Sequence, residues 1–295
     1  MTFRSDLAKG TFVCVSSAIF YSGAVVFVRY AYRAGVSPGT AIFLRFVLAS
    51  AALGLFLRLT GRWVKLPPAR IAALFGLGFL AYTVLGVTWF WALNTTPAWL
   101  VSLLLALYPL LVNVGSWLFL REPVRRLQVA ALFSVLVGGV VLFWQPFEGA
   151  TWTGVALMLV NVVINALYVL VGQRWTQGVP PAMSAAWMII GAAVGTCLYA
   201  VFFAQLSFSF DLVGWVWIAL FAVISTVLSI MFLWWGIGLI GPSRASIIGS
   251  LEPLFSILLS VFILGERLSL LQLPGGVFIL TGMFLVQWQP NRLRA

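Results

Sequence analysis

The sequence predicts an all-α polytopic membrane protein, with ten transmembrane helices in two inverted-topology five-helix repeats around a central cavity. Three observations carry that prediction. Apolar runs of about 20 residues, the length that crosses a bilayer, recur ten times along the 295 residues. The chain matches itself at an offset of 144 residues. Lysine and arginine gather on one side of the resulting spans, as the positive-inside rule requires.

The mean hydropathy is +1.10, with 63% hydrophobic and only 8% charged residues. A soluble domain carries about 25% charged residues, so this chain cannot clothe a water-exposed surface and its expected surroundings are a lipid bilayer. Strict alternation over ~10-residue segments, the mark of an outer-membrane barrel, is absent. The net charge of +11 does not point to nucleic acid, because the basic residues sit in short loops rather than in one patch. There is no histidine, and Cys14 and Cys197 lie inside apolar runs. No zinc cluster or disulfide framework is therefore expected, nor any other metal or cofactor. The apolar stretch from Gly10 to Val28 exceeds a signal-peptide core and is expected to remain as a span.

In order, the runs cover 10–32, 38–59, 70–93, 97–120, 126–145, 152–173, 182–205, 212–239, 243–264 and 270–288. Proline and glycine separate them, at Gly35 to Pro38, Pro67-Pro68, Pro97, Pro123, Pro146, Gly178 to Pro181, Gly241-Pro242 and Gly265. With the N-terminus inside, only Arg29, Arg33 and Arg267 of the 17 basic residues fall outside, and Arg45 lies within a span. Both termini are thus expected in the cytoplasm, and the protein in a bacterial inner membrane.

The self-match places "LYPLLVNVGSWLFLREPVRRLQ" (107–128) over "LEPLFSILLSVFILGERLSLLQ" (251–272). It continues to a Trp-Gln-Pro in each half, at 144–146 and 288–290. Upstream, "GVSP" (35–38) meets "GVPP" (178–181) after a one-residue slip. The expected repeats are 1–146 and 147–295. Five spans is an odd number, so the second repeat enters the membrane the opposite way. Inverted repeats are the signature of alternating-access transporters, with the substrate site near the midplane between the halves.

Glu-Pro at 252–253, then Gly-Glu-Arg at 265–267, Gln272 and a glycine-rich last span resemble the drug/metabolite transporter superfamily, EamA-type group. Within it the chain is most similar to the bacterial aromatic amino-acid exporters, the YddG-like proteins. The first half reads Arg-Glu-Pro at 121–123 instead, so only the second copy fits the motif closely. The resemblance implies export of aromatic and other neutral amino acids from the cytoplasm. Exporters of drugs, sugar-nucleotides or other small metabolites share the superfamily. An intramembrane enzyme is disfavoured by the lack of histidine and of a matched acid pair, and a membrane scaffold by the inverted repeat. No phosphate-binding loop points to ATP drive.

The candidate substrate site collects polar residues expected at the midplane. Glu252 stands about 13 Å into its span at 1.5 Å per residue, where an ionised side chain costs about 2.5–3.5 kcal/mol. Its repeat equivalent is Tyr108. Pro253 leaves the carbonyl of Gly249 without a helical partner, and Pro109 does the same to Leu105, so paired kinks are expected. Ser17 and Tyr21 share one helical face, matched 144 residues on by Asn161 and Asn165, with Tyr168 a turn further. Tyr82, Gly86 and Trp89 form a stripe in the third span, Ser225 and Ser229 one in the eighth, and Ser102 pairs with Ser246. Polar faces in lipid turn inward, while single Ser and Asn residues also serve interhelical packing. Tyr82, Trp89 and Tyr168 offer aromatic surfaces to a substrate ring. Trp63, Trp144, Trp152 and Trp288 are expected to anchor span ends. Arg45, about seven residues into its span, is expected to snorkel outwards, with carboxylate binding as the alternative. Gly191-x-x-x-Gly195 is a helix-packing motif.

Overall fold

The computed structural model describes residues 2–105, 107–120, 129–130, 133–134, 137–138, 141, 151–203, 206–249, 251–266 and 272–287. Among the described residues every regular element is helical. The first span is α1 (Thr2–Ser22) and α2 (Ala24–Arg33), and the second α3 (Pro38–Leu59). The third is α4 (Pro68–Leu77), a π-helical turn π1 (Gly78–Tyr82) and α5 (Thr83–Thr95). α6 (Ala98–Leu105) and α7 (Tyr108–Leu120) follow, then α8 (Trp152–Thr176) and α9 (Pro181–Phe203). The eighth span is α10 (Leu212–Leu220), π2 (Phe221–Leu228) and α11 (Ser229–Ile240). α12 (Pro242–Gly249), α13 (Leu251–Phe262) and α14 (Gln272–Gln287) complete the chain. Most of the expected fifth span, the Glu122 loop and both Trp-Gln-Pro ends, with Trp144 and Trp288, lie outside the described residues.

Six stretches are long and apolar enough to cross a membrane: Asp6–Arg33, Pro38–Leu59, Pro68–Thr95, Trp152–Thr176, Pro181–Phe203 and Leu212–Ile240. These are the first, second, third, sixth, seventh and eighth runs of the sequence. In the fourth run a turn at Leu107 precedes α7, so Pro109 falls within the first turn of that helix, where a missing N–H costs nothing. In the ninth run α12 and α13 are described on either side of residue 250, so the kink expected at Gly249 and Pro253 bears on a position outside the described residues. The starts of α6 and α12, at Ala98 and Pro242, stand 144 residues apart.

Local chemistry sets the starts. Ser37 caps α3, its hydroxyl accepting from the Thr40 N–H at 3.2 Å, with Pro38 in the first turn. Thr151 caps α8 through the Gly154 N–H at 3.0 Å. Gly241, at φ +80°, turns the chain between α11 and α12 in a conformation that other residues resist.

Backbones approach closely where side chains are small, as membrane helices require. Both glycines of the Gly191/Gly195 motif face the third span. A Cβ on Gly191 would strike the Phe75 carbonyl, and one on Gly195 the Thr83 hydroxyl. The outer faces carry Phe202, Phe203, Leu212 and Phe262, all more than 70% exposed, which only lipid can cover. Trp152 is likewise exposed at the start of α8, as expected of an anchor at a span end. The molecule is thus a polytopic membrane protein.

Candidate functional site

A cavity lies among α1, α3, the third span, α6, α7, α8, α11, α12 and α13. Its wall includes Ser17, Tyr21, Tyr82, Gly86, Trp89, Tyr108, Asn161, Asn165, Tyr168, Ser229, Gly249 and Glu252, all singled out in the sequence. Six pairs in this wall stand 144 residues apart: Ser17 and Asn161, Tyr21 and Asn165, Leu85 and Ser229, Trp89 and Leu233, Leu105 and Gly249, Tyr108 and Glu252. Equivalent positions of the two sequence halves thus line it together. The cavity measures about 60 Å³, well below the roughly 300 Å³ of a small-molecule pocket. The helices around it are closed.

Leu105 and Tyr108 border the cavity from the first half of the sequence and Gly249 and Glu252 from the second. A Cβ on Gly249 would come within 2.5 Å of the Tyr108 hydroxyl, so glycine is what lets α12 approach the start of α7.

Aromatic rings form one wall. Tyr82 and Tyr168 pack edge to face with centroids 4.7 Å apart, and the Tyr168 hydroxyl donates to that of Tyr82 at 3.0 Å. Trp234 Nε1 donates to Tyr168 at 2.7 Å; neither periodicity nor repeat pointed to Trp234. Trp89 stacks beside Phe221, centroids 6.4 Å apart. Such faces and edges suit a planar apolar group.

Several polar residues both line the cavity and tie helices together. Asn161 Nδ2 donates to the Leu85 carbonyl at 2.7 Å and to the Thr88 hydroxyl at 2.8 Å. Ser17 donates to the Ser229 carbonyl at 2.8 Å.

Some expectations change. Ser225 is buried but outside the cavity wall, and its hydroxyl donates to the Phe20 carbonyl at 2.6 Å. The cause is π2: in a π-helix the repeat is i to i+5, so Ser225 and Ser229, four apart, no longer share a face. Ser102 is buried within α6 and also outside the wall. The side chains of Ser246, Pro109 and Pro253 lie outside the described residues. Arg45 does not snorkel. It is 3% exposed and lines the cavity. Its Nε donates to Thr226 Oγ1 at 2.8 Å, and its guanidinium carbon lies 4.5 Å from the Phe221 ring centre and 4.7 Å from that of Phe46. The reason is tertiary: π2 presents Thr226 and Phe221 to this part of α3, a partnership that position within a span does not reveal.

A second feature sits at the other end of α6. The Glu266 carboxylate accepts from the Ala98 and Trp99 N–H groups, each at 3.2 Å, capping the helix where its exposed donors favour an anion. Arg29 Nη2 stands 3.6 Å from the same carboxylate and donates to the Thr96 carbonyl at 3.0 Å.

The architecture and the repeat both have counterparts among known proteins. The model of the EamA-like transporter family matches twice, over residues 8–144 and 152–288. An uncharacterized transporter of Bacillus subtilis, YyaM, is 26% identical over 265 residues, covering 84% of this chain and 83% of its own. Protein PecM of Dickeya dadantii is 29% identical over 231 residues, 76% of each chain. A solved crystal structure shares the fold with a TM-score of 0.72 at 20% identity, covering 94% of this chain and 96% of the other. With the family model matched over nearly its whole length, the chain belongs to the EamA-like transporter family.

Proposed function

We propose that the protein is a secondary transporter that exports aromatic and other neutral amino acids from the cytoplasm by alternating access. One observation carries the reading: the cavity wall combines an aromatic face (Tyr82, Trp89, Tyr168) with a carboxylate, Glu252. An aromatic amino acid brings a ring for the first and an ammonium group for the second. Among the described residues Glu252 forms no ion pair within 4.0 Å.

The alternating-access part of the proposal rests on two inverted five-span repeats, 1–146 and 147–295, with both termini cytoplasmic. The double family match at a spacing of 144 residues and the paired cavity wall support the repeat. The lysine and arginine asymmetry supports the orientation. In such an arrangement the two halves rock around a fixed site.

The test is counterflow of labelled substrates into liposomes holding the purified protein. Phenylalanine, tryptophan and leucine are compared with a sugar-nucleotide and a cationic drug, with and without a pH gradient. Saturable exchange of the amino acids is expected. Exchange of the drug or the sugar-nucleotide alone would move the protein to another branch of the family, and no exchange at all would defeat the transport reading.

A further inference from the structure

Arg45 is the buried charge that the proposed reading leaves unexplained. An arginine within a membrane span is costly, so its retention inside the bundle calls for a partner. Within the protein it has only part of one. Nε is committed to Thr226, and the rings of Phe46, Phe221 and Tyr21 lie around the guanidinium at 4.5–5.8 Å. Nη2 is buried with no hydrogen-bond partner among the described residues. The nearest candidate, Glu252, lines the same cavity yet forms no ion pair with it within 4.0 Å. A fork of donors set among aromatic rings, with Nη2 unfilled, suits a planar carboxylate.

Neither charge is repeated in the other half. At the offset of 144 Glu252 answers to Tyr108, and at the slipped offset of 143 Arg45 answers to Met188. One charge comes from each half, of opposite sign, and both line the cavity. We infer that Arg45 and Glu252 are the two poles of a zwitterion site, Arg45 holding the substrate's carboxylate and Glu252 its ammonium group. This rests on the amino-acid reading above and deepens it. A free phosphate ester fits poorly, since Glu252 repels its second negative charge, and a simple cation leaves Nη2 buried and unpaired. A zwitterion satisfies both poles and bridges the halves that must move against each other.

The test is a cycle of ligands against variants of the full chain in lipid nanodiscs, read as dissociation constants by calorimetry. The ligands are phenylalanine, phenylalaninamide, which lacks the carboxylate charge, and 3-phenylpropionate, which lacks the amine. The wild type is expected to prefer phenylalanine to each by at least about tenfold, the scale of a charged hydrogen bond. Arg45→Gln should bring the phenylalanine to phenylalaninamide ratio close to one while keeping the preference over 3-phenylpropionate. Glu252→Gln should do the reverse. Arg45→Lys, which keeps the charge and loses the fork, should retain a reduced preference for the carboxylate and serves where Arg45→Gln does not fold. If the Arg45 variants weaken phenylalanine and its amide by the same factor, the arginine is a structural residue and the inference is overturned. If the wild type binds none of the three ligands, the amino-acid reading itself is overturned.

Discussion

Glu252 and Tyr108 occupy equivalent places in the repeat and line the same cavity, yet one is an acid and the other a phenol. An acid in that place is tolerated because it faces a cavity rather than lipid, and its use follows from what can reach it. Glu252→Gln keeps the shape and removes the charge. The variant is expected to fold and to show an apparent affinity for amino acids about tenfold weaker, with the response of flux to a pH gradient intact. A variant that keeps exchange but loses the gradient response would make Glu252 a proton carrier instead; one that matches the wild type in both would make it structural. The sequence made Glu252 legible because an acid in an apolar run stands out. Arg45 stood out equally, but its role was hidden: seven residues into a span reads as interfacial depth, and only the packing of Thr226 and Phe221 draws it inward. Ser225 was misassigned for a similar reason, since a π-helical turn changes which residues share a face without leaving a local signal.

At the scale of elements, the turn at Leu107 before α7 lies beside the cavity residues Leu105 and Tyr108. Its position was legible from Pro109, although the residue alone indicated a kink rather than a turn. The capping of α6 by Glu266 was not legible: the Gly-Glu-Arg motif marked the residue, while its partners Ala98 and Trp99 lie 168 and 167 residues away. This contact ties the end of one half to α6 in the other and must part if that end opens. Removing the charge of a carboxylate at a helix N-terminus costs about 0.3–1 kcal/mol. Glu266→Gln is therefore expected to raise hydrogen exchange at the Ala98 and Trp99 amides by about two- to fivefold, with little change in the core of α9. Unchanged exchange at those two amides would show that the carboxylate does not hold the end shut.

For the whole molecule, hydropathy alone indicated a polytopic helical protein, and the 144-residue self-match anticipated which residues would meet. Six pairs of the cavity wall obey that offset. The small size of the cavity, about 60 Å³, was beyond the sequence, since it depends on how closely the helices pack around it. A site so closed serves transport only if each side opens in turn. The direct measurement is two-sided labelling of Ser229→Cys in a Cys14→Ser, Cys197→Ser background, with a membrane-impermeant thiol reagent applied to right-side-out and inside-out vesicles. Ser229 faces the cavity beside Ser17, and serine to cysteine preserves its size. The account predicts labelling from both sides, slowed in each case by phenylalanine. Labelling from one side only, at a rate indifferent to the amino acid, would contradict it.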